Sequence, residues 1–139
     1  MKSINFEEHF VLKEVQEQMS QIIQPSENGV PLKAMLEALE HQTGFTNEDE
    51  INQHDQRIKF MDEQNVQMQV LSYGNGSPSL LSGDKAIELC RYTNDTLKKY
   101  IDQYPDRFLG FATLPINEPE AAAEEFKRCV NELNFKGAL

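Results

Sequence analysis

The feature that most limits the fold is a repeated alternation of short strand-like runs with longer helical segments. Strands are predicted at residues 3–6, 66–71 and 108–114, and residues 135–139 have the composition of the start of a fourth strand. Strands separated by helices are joined by right-handed crossovers and therefore lie parallel in one sheet. This order predicts an α/β protein, either a doubly wound sheet or a (β/α) barrel.

The longest helix is predicted at residues 83–104, with Ser82 as its N-cap. Pro105 explains where it ends, because the residue before a proline disfavours the helical region. One face of this helix repeats apolar or small residues at intervals of three and four. These residues are Ala86, Leu89, Cys90, Thr93, Leu97 and Ile101.

A second helix is predicted to begin after a cap at Asn117, with Pro119 early in the helix and Glu120 three residues after the cap. Asn134 is the expected left-handed stop. The residues expected to face inward are Ala122, Phe126, Cys129 or Val130, and Leu133.

Residues 12–54 are predicted to be a helical insert after the first strand. Gln- and Glu-rich segments with helical spacing occupy 12–23 and 32–41, and a further helix is expected at 55–65. In the helix expected at 55–65, the side chains of Ile58 and Met61 are expected to face inward. The chain is therefore interpreted as one incomplete domain, 1–139, containing three strand-helix units, the start of a fourth strand and this insert.

Composition excludes some partners. The formal net charge of -10 argues against binding to the phosphate backbone of nucleic acid. No run of about 18 apolar residues could span a bilayer, and the first residues become acidic too soon for a signal peptide, so a cytoplasmic location is expected. Cys90 and Cys129 both lie on apolar helix stripes, where reduced thiols pack as small hydrophobes, and no disulfide is expected.

Chemically reactive groups are concentrated at Glu7-Glu8-His9. Residues i and i+2 of a strand face the same way, so Glu7 and His9 would project a carboxylate and an imidazole from one side of the first strand. Barrel enzymes place their active sites at this end of their strands. Oxygen and nitrogen donors suit zinc, manganese or magnesium. Taken alone, the same pattern also fits solvated side chains.

Several motifs together resemble the amidohydrolase-related decarboxylases, the group that includes gamma-resorcylate and 2,3-dihydroxybenzoate decarboxylases and, more distantly, aminocarboxymuconate-semialdehyde decarboxylase. The motifs keep the order that they have in that family. They are Asn5-Phe6-Glu7-Glu8-His9-Phe10, Arg57 to Asp62 followed by Val66 to Ser72, Tyr104 to Pro115, and Pro119 to Ala122 leading to Arg128 to Ala138. Residues 11–54 match poorly.

The resemblance implies a (β/α)₈ TIM barrel with one divalent metal, for which Glu7 and His9 match two ligands. The remaining histidine ligand and the catalytic acid of the family lie on later strands, so no catalytic residue is expected within this chain. A barrel needs about 250 residues, and 139 residues therefore correspond to its N-terminal part. The expectation is a fragment, a truncated reading frame, or a half completed by another polypeptide.

Substrate contacts are expected from three residues. Arg57 matches an arginine that in the aminocarboxymuconate branch contacts a substrate carboxylate, although a surface arginine on a helix is an alternative. Ser72 and Tyr73 follow the second strand and could line the pocket mouth, unless the glycines at 74 and 76 form only a turn. In the same strand, Gln67 and Gln69 are unusual because a strand covered on both faces is nearly all apolar.

The function implied by the resemblance is non-oxidative decarboxylation of a small hydroxybenzoate-like aromatic acid by an intact, homo-oligomeric enzyme. The metal would hold the carboxylate and the adjacent hydroxyl of the substrate. Hydrolysis or hydration by a relative of the same superfamily is one alternative. A catalytically inactive, truncated interaction module is the other.

Overall fold

The computed structural model describes residues 2–22, 54–74 and 76–139. The side chains of Glu7, His54 and Asp55 are not among the described groups, although the backbone of each is. The helix predicted at 32–41 lies outside the described residues. Within the described ranges, no helix combines the length and the apolar character that crossing a bilayer requires.

Among the described residues, three parallel strands form a sheet in the order β1-β2-β3, which confirms the predicted pairing. Strand β1 is Ser3–Phe10, β2 is Val66–Tyr73 and β3 is Phe108–Gly110. The predicted fourth strand is present as a parallel bridge between Ala112 and Ala138, beside the end of β3. The chain thus builds one side of a parallel sheet in sequence order.

Two strands extend further than predicted. Strand β1 continues through the polar Glu7-Glu8-His9 run because Phe10 follows it, fully buried, with its ring edge against Tyr73 of β2. Strand β2 likewise continues to Tyr73. Strand β3 is shorter than predicted and ends at Gly110. Three residues later, the backbone of Thr113 is bonded to an asparagine side chain rather than to a strand.

In the part of the chain that the structure describes, four helices cover the sheet, with a short 3₁₀ turn at Pro78–Leu80. They are α1, Lys13–Ile22; α2, His54–Glu63; α3, Asp84–Gln103; and α4, Pro119–Asn131. The predicted face of α3 is confirmed, since Ala86, Leu89, Cys90, Thr93 and Leu97 are buried and Ile101 packs against the core. Met61 of α2 is fully buried and Ile58 packs beside the core, as expected. Asn134 has the predicted left-handed backbone, with φ 59°.

Both predicted N-caps are wrong. Gly83, not Ser82, precedes α3, and its amide donates to the Glu118 carboxylate at 2.6 Å. Glu118 also occupies the cap position of α4, whereas the Asn117 side chain donates to the carbonyls of Leu80 and Leu81. The loop after β3 is therefore bonded to the loop after β2. At the start of α3, a contact between distant segments thus takes the place of the predicted local cap.

The inward face of α4 differs from the prediction in part, since Cys129 is in the core and Leu133 packs against it as expected, but Phe126 does not face inward. Phe126 and Val130 are exposed, at 40% and 39%, whereas Cys129 is fully buried and Glu125 is only 7% exposed. The helix is rotated so that Glu125 meets Asn94 of α3. A buried carboxylate requires hydrogen-bond partners, and these decide which face of α4 turns inward.

The Glu125 partners form a buried network. Asn94 accepts from the Thr113 amide at 2.8 Å and donates to both the Thr113 carbonyl and Glu125, each at 2.9 Å. Arg128 donates two bonds to Glu125, at 2.7 and 2.9 Å, and pairs with Asp95 at 2.8 Å. Burial is the largest influence on the Glu125 carboxyl and would raise its pKa, but the bonds from Arg128 and Asn94 lower the pKa below the ordinary value of 4.5.

Replacing Glu125 by Gln is expected to destabilise the chain at pH 7 by about 2 kcal/mol, because an amide cannot accept the two bonds from Arg128 as a carboxylate does. A carboxyl whose pKa is lower in the folded state stabilises that state above the unfolded pKa and loses this effect as the pH falls through the folded pKa. The difference between wild type and Glu125→Gln should therefore shrink as the pH falls below about 4.3. Urea unfolding of both proteins at pH 7 and pH 3.5 measures this difference in the free energy of unfolding. A difference that is equal at both pH values would contradict the network.

Candidate metal centre

The predicted metal ligand His9 lies at the carboxyl end of β1, beside Ser72 of β2. The two residues are register partners in the parallel pair. The imidazole Nδ1 of His9 is 3.0 Å from the Ser72 hydroxyl oxygen, so the two groups share a hydrogen bond. His9 is exposed, whereas Ser72 is only 3% exposed. The sheet thus presents an imidazole to solvent and supports it from the next strand.

The next register pair turns the other way. Phe10 pairs with Tyr73, and both side chains enter the core, where their rings contact edge to face with centroids 5.4 Å apart. The Tyr73 hydroxyl accepts a long hydrogen bond, 3.4 Å, from the Leu12 amide. Of the predicted substrate residues, Tyr73 is therefore a packed core residue, and the structure does not bring it together with the His9 imidazole.

The other predicted ligand, Glu7, lies in β1 with its side chain outside the described groups. The register of β1 shifts beside it, since Asn5 pairs with Gln69 and Glu8 with Leu71, so that three steps on β1 match two on β2. A bulge of this kind changes the direction of nearby side chains. The convergence of Glu7 and His9 on one metal ion stays a prediction.

Arg57 reaches the same strand ends from α2. One guanidinium nitrogen donates to the His9 carbonyl at 2.9 Å, and another donates to the Gln69 amide oxygen at 3.2 Å. These bonds explain why Gln69, with 2% exposure, is tolerated in a buried strand. Arg57 is half-buried, and it holds the backbone carbonyl of His9, the predicted metal ligand.

Gly74 brings the loop after β2 close to His9. Its amide donates to the Phe10 carbonyl at 2.8 Å. A methyl group at this position would lie 3.3 Å from the His9 Cβ atom, closer than most such contacts in proteins. The loop can therefore pack directly beside the imidazole because residue 74 has no side chain.

Two other features lie apart from this edge. Burial, together with the nearby Glu125 carboxylate, raises the pKa of both Cys90 and Cys129 to about 12, so neither thiol is a nucleophile at neutral pH. A cleft of about 370 Å³ opens at the amino ends of the strands, where Arg107 pairs with Asp62 at 2.7 Å. In barrel proteins that end contributes to stability rather than to catalysis.

The described residues do not complete a metal site. Among them, no group of three or more histidine, cysteine, aspartate or glutamate side chains is arranged to hold an ion. Catalytic zinc sites usually have three protein ligands, and the predicted pair of Glu7 and His9 supplies two. What this edge of the sheet provides is an oriented imidazole with support from Ser72, Arg57 and Gly74.

Comparison with known proteins agrees, over nearly the whole chain, with the family resemblance of the sequence motifs. The amidohydrolase family model matches residues 7–139. Gamma-resorcylate decarboxylase of Rhizobium sp. strain MTP-10005 is 36% identical over 137 residues, which cover 98% of this chain and 37% of that enzyme. A solved Staphylococcus aureus structure described as an amidohydrolase is 55% identical, with a TM-score of 0.77, covering 99% of this chain and 36% of that one.

A second solved structure carries ligands. Dihydroxybenzoic acid decarboxylase of Polaromonas sp. JS666, with bound manganese and the inhibitor 2-nitroresorcinol, is 32% identical with a TM-score of 0.74, covering 99% of this chain and 38% of that one. The chain therefore spans a little over a third of the length of these relatives. The predicted fold class, the N-terminal part of a TIM barrel, is confirmed.

We expect Arg57→Met to lower the free energy of unfolding by about 1 to 3 kcal/mol, because the change leaves the His9 carbonyl and the buried Gln69 amide without their donor. Arg57→Lys should recover part of this loss. Arg91→Met, a matched change at an exposed arginine of α3, should alter stability by less than about 0.5 kcal/mol. Urea unfolding followed by circular dichroism measures all three. Equal effects at residues 57 and 91 would show that the two bonds contribute nothing.

Proposed function

The chain belongs to the amidohydrolase family, and from this premise we propose that it is the N-terminal part of a metal-dependent decarboxylase acting on a hydroxybenzoate-like aromatic acid. The observation that carries the proposal is the exposed His9 imidazole at the carboxyl end of β1, held by Ser72. Active sites of barrel enzymes occupy this end of the strands. The likeness to gamma-resorcylate decarboxylase over nearly the whole chain supports the substrate class.

The residues of this edge fit a divalent metal. Glu7 would contribute an oxygen donor and His9 a nitrogen donor, and manganese, zinc and magnesium accept such ligands. Manganese is the first choice because the Polaromonas relative binds it. When bound, the metal would act as a Lewis acid and as a template for the substrate carboxylate and the neighbouring hydroxyl.

The other residues of the edge are proposed to hold His9 in place. Arg57 fixes the His9 carbonyl, and Ser72 contacts the imidazole. These contacts favour a holding role for Arg57 over the carboxylate clamp that the family resemblance suggests, because two of its nitrogens already donate to protein oxygens. Tyr73 is left out of the proposed substrate site, since its ring is packed on Phe10.

The proton donor and the remaining metal ligands are proposed to come from outside the 139 residues. Two ligands leave a metal short of the usual three, and general acid catalysis needs a group within hydrogen-bond reach of the proton that is transferred. The proposed contribution of this chain is therefore to bind the metal and to orient it. A homo-oligomeric state and a cytoplasmic location stay predictions.

The 139-residue chain is expected to release no carbon dioxide from 2,6-dihydroxybenzoate, with or without added manganese. A chimera that continues into the C-terminal part of the Rhizobium relative should be active. His9→Ala should lower the activity of the chimera by more than about 100-fold, since a lost ligand weakens metal binding more than a lost supporting residue does. Arg91→Ala, on the exposed face of α3, is the matched control and should leave it unchanged. Carbon dioxide release is the measurement.

Two results would contradict the proposal. The first is turnover by the 139-residue chain that survives treatment with a chelator. The second is full activity of the folded His9→Ala chimera, which would remove His9 from the metal site. A chimera that does not fold is recognised by circular dichroism. In that case the same His9→Ala comparison is made in a chimera with the C-terminal part of the Polaromonas relative, and equal activity of the two proteins would equally count against the proposal.

A further inference from the structure

The hydrogen bond between His9 and Ser72 differs from an ordinary surface hydrogen bond in its strand register and in the burial of Ser72. It joins register partners on neighbouring strands, at 3.0 Å, and Ser72 is 3% exposed. Ser72 was expected to line a substrate pocket, but the residue is almost fully buried and its hydroxyl is bonded to the imidazole. A hydroxyl in this position can affect a reaction by orienting His9, and not by contacting a substrate.

We propose that Ser72 is a positioning residue that accepts a hydrogen bond from Nδ1–H of His9, so that Nε2 faces outward as the metal-binding nitrogen. The inference deepens the proposed function and rests on it in one respect, because an outward Nε2 has a use only if a metal binds there. The orientation of the ring itself is a property of this chain alone.

The chemistry of imidazole makes the direction of this bond decisive. A neutral imidazole carries its proton on one nitrogen and an electron pair on the other. If Ser72 donates to Nδ1, Nε2 carries the proton and has no electron pair to give to a metal. If Ser72 accepts from Nδ1–H, Nε2 is free to bind a metal. Histidine ligands of metals generally donate their second ring N–H to a neighbouring oxygen for this reason.

Two further contacts restrict His9 from other directions. Arg57 bonds its carbonyl, and the loop at Gly74 passes close to its Cβ atom. The backbone, the Cβ atom and the ring of one exposed histidine are thus each in contact with a different segment. Such support limits rotation about the side-chain bonds, which a ligand needs to be held near its productive geometry.

Nuclear magnetic resonance of the 139-residue chain tests the inference without metal. Long-range ¹H–¹⁵N correlation of labelled histidine distinguishes Nδ1–H from Nε2–H, and at pH 8 an ordinary imidazole is neutral. The chain has three histidines, and His9→Gln identifies the signals of residue 9. The expected form of His9 is Nδ1–H. Ser72→Ala should shift it towards Nε2–H, whereas Ser72→Thr, which keeps a hydroxyl, should retain Nδ1–H.

A matched control removes another buried hydroxyl. Thr93 is fully buried, and its hydroxyl donates to the Leu89 carbonyl within α3 at 2.8 Å. Thr93→Val should leave the His9 signals unchanged. A change in the His9 signals that merely followed from loss of stability would appear in this variant as well.

Manganese affinity gives the second readout. Titration of Mn²⁺ into the chimera that supplies the remaining ligands, followed by the electron paramagnetic resonance of the free ion, should show affinity about tenfold weaker for Ser72→Ala, and recovery in Ser72→Thr. An Nε2–H form in wild type, or an Nδ1–H form that persists in Ser72→Ala, would overturn the role of Ser72. A third result would separate the two proposals. If the Nδ1–H form depends on Ser72 but the His9→Gln variant binds manganese as well as wild type does, the orientation of the ring is supported and the proposed metal site is refuted.

Discussion

The register between β1 and β2 is the constraint on which the site depends. His9 pairs with Ser72 and faces solvent, and the next pair, Phe10 with Tyr73, enters the core and contacts edge to face. A slip of one residue would exchange the two faces of a strand, placing the imidazole in the core and an aromatic ring in water. Packing of Phe10 therefore specifies the position of His9, although the two side chains point in opposite directions.

The loops that follow β2 and β3 are held by polar bonds more than by apolar packing. Glu118 binds the Gly83 amide, and Asn94 is bonded to the Thr113 backbone and to Glu125. Such buried networks are stable when every member is satisfied and costly when one is lost. Protonation of Glu125 at low pH should therefore weaken the contacts between α3, α4 and the loop after β3.

The sequence is sufficient to predict the architecture, because long periodic segments depend on local composition. The bounds of α3 and the parallel order follow from apolar spacing and crossover rules. The predicted cap at Ser82 was wrong because Glu118, 35 positions further along the chain, accepts a bond from the Gly83 amide. The predicted cap at Asn117 was wrong because its side chain donates to the loop after β2. The bond between His9 and Ser72 was missed for the same reason, since the residues are 63 positions apart and only the register brings them together. The polar Gln69 in a buried strand was a usable signal, because a buried amide needs a hydrogen-bond partner; the partner is Arg57.

The most direct test of the proposed site is to locate manganese in crystals of the chimera that supplies the remaining ligands, soaked in manganese chloride. An anomalous difference map at the manganese absorption edge identifies the ion without assumptions about activity. The account predicts a peak within coordination distance of both the Glu7 carboxylate and Nε2 of His9, with Ser72 still bonded to Nδ1. A peak only at the opposite end of the strands, near Asp62, or none beside His9 at a saturating concentration, would contradict it.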